Sequence, residues 1–268
     1  MKIAVLGAKG FVGSNLASHL LHNHHVTPVT RESLDMLNPI AVKDFLKENT
    51  FDVIVNCAAV MTDDNGLHDA RNNLGMFMNF YSNAGLFGKL INTASGAEFD
   101  RSTDINCALE SQIFNRMPYD SYGWGQNIKA RLCAQTDGFY NIRIFNCFGQ
   151  GEIPTRIFPR FLANKKMDIT NNRYFDYFSI QDLKKVVDHC IDNDWPINDV
   201  NAVYEQKYKI NEVLEKFCNL NQLEPDFKVI SESNNNYTGN GLSLKTLGID
   251  LDGLENGLLA YKDNNDCI

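Results

Sequence analysis

The sequence lacks the features that mark membrane-spanning and nucleic-acid-binding proteins. No stretch approaches the roughly 18 apolar residues of a membrane span, and no charged N-terminal segment precedes a long apolar one. Lys and Arg are dispersed and the formal net charge is −8, so the chain offers no basic stripe to a phosphate backbone. We therefore expect a soluble protein with no membrane and no nucleic acid among its partners.

Metal-ligand patterns are missing too. The seven cysteines are scattered, with no Cys-x-x-Cys pair and no histidine at ligand spacing. His22, His24 and His25 lie together without a cysteine or carboxylate at such spacing, as at a solvent-facing helix end. We expect no metal, and unpaired cysteines favour a reducing, cytoplasmic location. The 268 residues, 44% of them hydrophobic, suit one large domain or a main domain with a smaller lobe.

The most informative segment is the N-terminal run KIAVLGAKGFVG. An apolar stretch, residues 2–6, passes into Gly7, Gly10 and Gly13, and apolar residues then recur at helical spacing from Phe11. Glycines at this spacing also close ordinary strand-to-helix turns. In a strand–turn–helix context, however, they let the backbone approach a pyrophosphate, which binds the free N–H groups of the helix. The run therefore predicts a dinucleotide site.

Strand-like and helix-like segments alternate through the first half of the chain. The predicted strands are 2–6, 25–29, 52–56, 89–93 and 141–146, and the predicted helices are 11–21, 39–47, 67–86 and 121–135. Such alternation is typical of an α/β fold with a doubly wound parallel sheet of the Rossmann kind, which binds ligands at the carboxyl ends of its strands.

Beyond Gly149 the alternation weakens, through a short helix at 157–162, a strand-like 174–180 and a helix at 181–190. We predict a dinucleotide-binding domain of residues 1–150 and 174–194. Residues 151–173 and 195–268 are predicted to form a small C-terminal substrate lobe. A substrate would then lie in the cleft between them.

Two hydroxyl groups are candidates for catalysis. Ser95 follows a predicted strand and Tyr122 opens a predicted helix, so both fall on the carboxyl edge of the sheet. A hydroxyl that orients a carbonyl and a phenol that exchanges its proton suit hydride transfer beside a cofactor. The alternative is a loop serine and an aromatic residue at a helix start.

Motifs along nearly the whole chain resemble the extended short-chain dehydrogenases/reductases that act on nucleotide sugars. They are GAKGFVG at 7–13, DVIVNCAA at 52–59, NTASGAEF around Ser95, the Tyr122 helix, NIRIFNCFG at 141–149, FDYFSIQDL at 175–183 and the terminal GLENGLLAY. TRESLDMLNPIAVKDFL at 30–46, with Asn73 and Asn79, is most similar to the GDP-fucose synthase type of 4-keto-6-deoxy sugar reductase.

This resemblance implies a set of contacts. The implied cofactor-binding residues are Gly7, Lys9, Gly10, Phe11, Gly13, Arg31, Asn38, Ala58, Ala59, Asn73 and Asn146. The implied substrate-binding residues are Ser95, Asn146 and Arg156, and the catalytic ones are Ser95, Tyr122 and Gln126. Relatives commonly form homodimers through the helices predicted here near 67–86 and 121–135, although Phe77, Phe80 and Tyr81 could equally serve the core.

The residues after the second predicted strand favour NADP(H) over NAD(H). An NAD-binding chain would place Asp or Glu there for the ribose 2′-hydroxyl, whereas this chain has Thr30 and Arg31. Arg31 suits a 2′-phosphate, and Lys9 adds a second positive charge. Glu32 beside them opposes this interpretation, and a solvated surface pair is the alternative.

Three positions depart from the pattern of the family. Ala97 and Arg156 stand where the GDP-fucose synthase type has a cysteine and a histidine that epimerise the sugar, and neither can shuttle protons. Gln126 replaces the lysine one helical turn beyond Tyr122 that lowers the phenol pKa. Lys129 is roughly 10 Å from Tyr122 along the helix axis, too far to replace it.

These departures favour a reductase, because a protonated tyrosine is a usable acid and a poor base at neutral pH. The prediction is NADPH-dependent reduction of a keto group, at C4, on a nucleotide-linked deoxy sugar. Two alternatives stay open: a catalytically silent NADP-binding sensor or partner protein, and a nucleotide-sugar epimerase or dehydratase.

Overall fold

Strands and helices alternate along the first half of the chain, as predicted. The computed structural model describes residues 1–60 and 66–263. Its strands are β1 (Lys2–Leu6), β2 (His25–Val29), β3 (Val53–Asn56), β4 (Lys89–Ser95), β5 (Ile105–Ala108), β6 (Phe139–Ile144), β7 (Cys147–Phe148), β8 (Met167–Ile169), β9 (Phe178–Ser179), β10 (Asp199–Ala202), β11 (Phe227–Val229) and β12 (Tyr237–Gly239).

The first six helices lie where they were predicted, with shifted ends, and three further helices follow them in the described part of the chain. They are α1 (Phe11–Leu20), α2 (Pro39–Asn49), α3 (Leu67–Tyr81), α4 (Ser121–Ala134), α5 (Ile157–Asn164), α6 (Ile180–Asp192), α7 (Ile210–Leu220), α8 (Leu242–Thr246) and α9 (Gly253–Asp263). The predicted helix 67–86 ends at Tyr81, and a separate 3₁₀ turn covers Ala84–Leu86. Across residues 1–60 and 66–263, no helix is long and apolar enough to cross a membrane.

Six parallel strands form the main sheet in the order β10-β6-β4-β3-β1-β2, which confirms the doubly wound fold. From β1 the chain passes to β2 on one side and then crosses to β3 on the other. A crevice therefore opens beyond the carboxyl ends of β1 and β3, where ligands of such sheets bind. The glycine turn follows β1 at this point.

Each face of the sheet has its own apolar core, because successive strand residues point to opposite sides. Ile3 and Val5 pack with α1 and α6, whereas Ala4 and Leu6 pack with α2 and α3. The core that contains Ala4 and Leu6 also includes Phe77 and Phe80, which are 2% and 1% exposed. Tyr81 packs edge-on against Phe139, with the ring centroids 5.5 Å apart. These rings serve the core, and the homodimer through α3 and α4 stays a prediction.

The segment after residue 195 requires a correction. It was predicted to lie wholly in the small lobe, but β10 pairs with β6 as the sixth strand of the main sheet. Leu244 of α8 packs into the core shared with α1 and α6. The predicted strand 174–180 is also shorter than expected. Only Phe178–Ser179 forms a strand, and Tyr174 and Phe175 make isolated β-bridges instead.

A further apolar cluster supports the C-terminal part of the fold. Phe158 and Phe161 of α5, Phe217 of α7 and Leu258 of α9 are all at most 2% exposed and pack together. The ring centroids of Phe158 and Phe217 lie 4.7 Å apart. This cluster holds α5, and with it Arg156, against α7 and α9.

A row of asparagines crosses the interior of the sheet. Asn56, Asn92 and Asn141 share one register on β3, β4 and β6, and their side chains form consecutive hydrogen bonds of 2.8 Å. Asn141 then donates to Asp199 of β10 and to Glu98 at 3.1 Å each. The row satisfies polar groups that burial would otherwise leave unpaired.

The row ends on a buried ion pair. The Arg143 guanidinium and the Glu98 carboxylate are both 0% exposed, and Arg143 Nε donates to Glu98 Oε2 at 2.5 Å. Arg143 also donates to Asp199 at 2.7 Å and to Asn201 at 2.8 Å. Burial raises the pKa of Glu98, and the Arg143 charge opposes this rise. The pair ties the turn that follows β4 to β6 and β10.

Replacing Arg143 with methionine tests this network. The substitution keeps side-chain bulk but leaves Glu98 and Asp199 without their cation. Breaking a buried pair from one side should lower the free energy of unfolding by about 3–5 kcal/mol. Urea unfolding followed by circular dichroism measures the change.

Lys245→Met is the matched control, since Lys245 and Glu205 pair at 2.9 Å with side chains 64% and 66% exposed. An exposed pair should contribute less than about 1 kcal/mol. Equal, small effects of the two substitutions would contradict the role assigned to the buried pair.

Candidate active site

The turn from β1 into α1 has the geometry of a phosphate cradle. Gly7 has φ +73°, and a Cβ there would lie 2.8 Å from the Cα of Ala58. A Cβ on Gly13 would lie 2.2 Å from the Gly7 carbonyl oxygen. Gly10 is the N-cap of α1 and makes no side-chain cap. The first N–H groups of α1 have no helical partner by geometry, so they suit an anionic ligand.

A cavity of about 370 Å³ lies beside this turn, beyond the ends of β1 and β3. Its lining comprises Gly7, Lys9, Gly10, Thr30, Arg31, Glu32, Met36, Cys57, Ala58, Ala59, Val60 and Met76. Most cofactor contacts implied by the sequence therefore meet at one cavity, at the switch point of the sheet.

Two asparagines of α3 hold the walls of this cavity. Asn73 accepts a hydrogen bond from the Val60 N–H at 2.6 Å and donates to its carbonyl at 2.9 Å. Asn79 donates to the Met36 carbonyl at 2.8 Å. These side chains position the segments that follow β3 and β2, and Asn73 is separated from the cavity by Val60.

Three other residues proposed from the sequence lie elsewhere. Asn38 is the N-cap of α2, and its side-chain oxygen accepts from Ile40 N–H at 3.0 Å and Ala41 N–H at 3.2 Å. Asn146 lines a different cavity, described below. Phe11 opens α1 and packs against the core. None of the three lines the cavity beside the glycine turn.

Charged residues form the rim of the cavity. Lys9 Nζ pairs with Glu32 at 2.8 Å, and the Thr30 hydroxyl donates to the same carboxylate at 2.7 Å. These hydrogen bonds, the one from Lys9 above all, lower the pKa of Glu32 to about 2. Glu32 therefore neutralises the positive charge of Lys9. The neighbouring Arg31 lines the same cavity.

Ser95 and Tyr122 come together at the carboxyl edge of the sheet. Ser95 ends β4, and its Oγ accepts from the Ala97 N–H at 3.2 Å. Tyr122 lies in the first turn of α4, where Asp120 caps the helix by accepting from the Gly123 N–H at 2.8 Å. Ser95 and Gln126 are both near enough to the Tyr122 hydroxyl to lower its pKa. The three predicted catalytic side chains therefore form one cluster.

The surroundings of Tyr122 act on its acidity in opposite directions. Burial raises the pKa of the phenol, and the Ser95 hydrogen bond and the Arg101 charge lower it. Glu98 also raises the pKa through its negative charge, and the Gln126 hydrogen bond lowers it. The net direction is upward, so Tyr122 is protonated at neutral pH.

A close approach of backbones brings the two hydroxyls together. A Cβ on Gly123 would lie 2.5 Å from the carbonyl oxygen of Ala97, in the turn that follows Ser95. Only glycine lets α4 pack this near the turn. The buried Asn127 adds a 2.7 Å hydrogen bond to the Glu98 carbonyl on the same side.

Sequence reasoning missed two residues beside this cluster. Tyr237 of β12 is 7% exposed, and Ser95 is near enough to its hydroxyl to lower its pKa. The Arg101 guanidinium carbon lies 5.9 Å from the centroid of the Tyr122 ring. Tyr237 lies far from Ser95 in the sequence, in an Asn-rich stretch, so no local pattern points to it. For Arg101 there was a signal, because the uncharged Gln126 was a reason to search for another cation near Tyr122.

A second cavity, of about 280 Å³, includes Asn146, Arg156 and Arg160 in its lining. Phe175 and Tyr177 also line it, and their ring centroids are 5.5 Å apart. The Phe175 centroid is in turn 5.2 Å from that of Tyr237. A continuous row of aromatic rings thus connects this cavity to the Ser95 and Tyr122 hydroxyls.

The comparisons with known proteins agree with this geometry. Residues 3–199 match the profile of the NAD dependent epimerase/dehydratase family. No sequence among the curated proteins matches the chain.

Solved structures share the fold at low sequence identity. A GDP-mannoheptose C4 reductase from Campylobacter jejuni with NADP bound has a TM-score of 0.83 and 20% identity, over 99% of this chain and 98% of that one. A dTDP-4-dehydrorhamnose reductase from Bacillus anthracis in complex with NADP has 0.82 and 14%, over 98% of each chain. A UDP-glucuronic acid 4-epimerase from Bacillus cereus with NAD has 0.77 and 17%, over 98% of each. Reductases and epimerases thus share the fold, and side chains must distinguish them.

Gly123→Ala tests the close approach of α4 to the Ser95 turn. The added methyl group would meet the Ala97 carbonyl at 2.5 Å, so α4 or the turn must shift. We expect a loss of about 1–3 kcal/mol in the free energy of unfolding, despite the better helix propensity of alanine. Urea unfolding followed by circular dichroism measures it.

Gly75→Ala is the control, because Gly75 also lies within a helix and its Cβ would meet only a terminal methyl of Leu37, at 3.2 Å. That flexible group can move, so we expect no loss. A Gly123→Ala protein as stable as Gly75→Ala would show that the backbone contact does not set the position of α4.

Proposed function

Because the chain belongs to the NAD dependent epimerase/dehydratase family, we propose that it is an NADPH-dependent reductase of a keto group, at C4, on a nucleotide-linked deoxy sugar. The observation that carries the proposal is the cluster of Ser95, Tyr122 and the uncharged Gln126 at the carboxyl edge of the sheet. The cluster supplies an acid, because burial raises the pKa of Tyr122 and keeps the phenol protonated at neutral pH.

The residues around the glycine turn fit a dinucleotide. A side chain on Gly7 would clash with the backbone at Ala58 and one on Gly13 with the Gly7 carbonyl, so only glycines allow this tight turn. Lys9 and Arg31 line the cavity beside it. An NAD-binding chain would have a carboxylate for the ribose 2′-hydroxyl at the end of β2. This chain has Thr30 and Arg31 there. These features favour a 2′-phosphate, and the reductases from C. jejuni and B. anthracis carry NADP.

When bound, a reduced nicotinamide supplies the hydride that adds to the carbonyl carbon. The Ser95 Oγ accepts a hydrogen bond from the Ala97 N–H. Its own O–H can therefore donate a hydrogen bond to the carbonyl oxygen of the substrate. Tyr122 transfers its proton to that oxygen as the C=O bond becomes a C–OH group, which leaves a phenolate that solvent reprotonates. Gln126 holds the phenol in place by its hydrogen bond.

The second cavity suits the nucleotide part of the substrate. Arg156, the N-cap residue of α5, lies one helical turn before Arg160, and each guanidinium group can bind two phosphate oxygens at once. The aromatic row through Phe175 leads from there to Ser95. Because Ala97 and Arg156 offer no proton shuttle, the same arrangement opposes epimerisation by the route of the GDP-fucose synthase type.

Tyr122→Phe tests the assigned acid. We expect kcat for NADPH consumption with a nucleotide-linked 4-keto-6-deoxy sugar to fall by about 10²–10⁴-fold, because the proton donor is lost while the cavities are kept. Loss of NADPH absorbance over time measures the rate. Product formed without net NADPH consumption would instead identify an epimerase or dehydratase.

Tyr119→Phe is the matched control, because Tyr119 lies in the same segment with 90% exposure and should leave the rate unchanged. Unchanged turnover in Tyr122→Phe would remove the assigned mechanism. NADPH binding with no turnover of any keto sugar by the unmodified protein would support the silent NADP-binding alternative.

Substitutions at the rim of the first cavity test the cofactor preference. Arg31→Ala should weaken NADPH binding roughly tenfold or more and leave NADH binding nearly unchanged, because only NADPH carries the 2′-phosphate. Glu32→Gln should have the opposite effect, since it releases Lys9 from its ion pair. Calorimetric titration with NADPH and with NADH measures the affinities of both variants. An equal loss of NADH affinity in Arg31→Ala would contradict recognition of the 2′-phosphate by Arg31.

A further inference from the structure

The proposed proton donor creates an electrostatic requirement. When Tyr122 gives up its proton, a phenolate forms in a partly desolvated site, and a nearby positive charge would stabilise it. Gln126 contacts the phenol but brings no charge. Lys129, two turns beyond Tyr122 on α4, is 3% exposed, and burial lowers its pKa to about 8. Its distance along the helix makes it a poor source of that charge.

A different cation faces the phenol ring. Arg101 follows the turn after β4, and its guanidinium carbon is 5.9 Å from the Tyr122 ring centroid. Asp120 holds it there by accepting from Arg101 Nη2 at 2.8 Å. The same Asp120 oxygen caps α4, so one carboxylate fixes the arginine and the helix that carries the tyrosine. The guanidinium is thus placed by the element on which Tyr122 lies.

We propose that Arg101 is a positioning residue that acts through Tyr122, supplying the positive charge that Gln126 does not provide. The inference rests on the proposed function, in which Tyr122 is the acid. Arg101 comes from the loop after β4 rather than from the helical turn after Tyr122, so the charge approaches the ring from outside α4.

The other ionisable groups that face Tyr122 do not supply this charge. Glu98, below the Ser95 turn, is acidic and raises the pKa of Tyr122. Tyr237 of β12 is a neutral phenol whose own pKa is raised by burial and lowered by the same Arg101 charge. The guanidinium therefore acts on both hydroxyls that contact Ser95.

The test reads the ionisation of Tyr122 directly. The protein, with its ten tyrosines labelled with ¹³C at Cζ, is titrated by NMR, and the Tyr122 signal is assigned by its loss in Tyr122→Phe. Arg101→Gln should raise the pKa of Tyr122 and lower kcat by roughly three- to tenfold, with KM for the sugar little changed. Arg101→Lys keeps the positive charge, so its Tyr122 pKa and its kcat should both be close to those of the unmodified protein.

Arg116→Gln is the matched control, because Arg116 pairs with Asp100 of the same loop at 2.7 Å and its side chain is 63% exposed. It should leave the Tyr122 titration unchanged. Adding Gln126→Lys to Arg101→Gln should bring the titration back toward that of the unmodified protein, because the lysine supplies the same sign of charge one turn from Tyr122.

An unchanged Tyr122 titration in Arg101→Gln would overturn the inference, as would an equal shift in Arg116→Gln. This readout needs no substrate, so it separates the inference from the proposed function. If no keto sugar is reduced, the proposed function fails, and the titration still shows whether Arg101 acts on Tyr122.

Discussion

The buried ion pair of Glu98 and Arg143 is the constraint on which the site depends. Glu98 lies in the turn directly after Ser95, and Arg143 lies on β6 and reaches Asp199 of β10. Charges taken out of water are tolerated only with near-complete hydrogen bonding. The asparagine row supplies it, so the turn that follows Ser95 is attached to β3, β4, β6 and β10 of the sheet.

Because that turn is fixed, α4 can be placed against it. Gly123 permits contact with the Ala97 carbonyl, and Asp120 caps the helix while holding Arg101. Tyr122 is then placed beside Ser95 by the packing of α4 against the turn. A site built on a strand end and a helix start, both tied to one buried network, is pre-organised for proton transfer.

Under the proposed role of Arg101, its positive charge stabilises the phenolate that forms when Tyr122 gives up its proton. The charge of a lysine at Gln126 would come from α4 itself, whereas Arg101 reaches the same phenol from the loop after β4. The side chain at position 126 is then free to be a neutral hydrogen-bond partner. Under this proposal, the charge and the hydrogen bond are supplied by different residues.

Local patterns in the sequence were sufficient for the fold and for part of the site. The glycine turn, the alternating strands and helices, and the positions of Ser95 and Tyr122 at element ends follow from spacing and periodicity, which need no tertiary information. The sequence also predicted Gln126 on the face of α4 that bears Tyr122, because residues four apart on a helix are neighbours.

Tertiary packing decided the rest. β10 is a four-residue strand in an Asn-rich tail, and only its pairing with β6 reveals that it belongs to the sheet. Asn38 proved to be a helix cap, and Tyr237 and Arg101 reached the hydroxyls through contacts that no local spacing encodes. By itself, the sequence determined which chemical groups are available and which elements carry them. Which of those groups meet was decided by the packing of segments far apart in the chain, since contact between them depends on the whole fold.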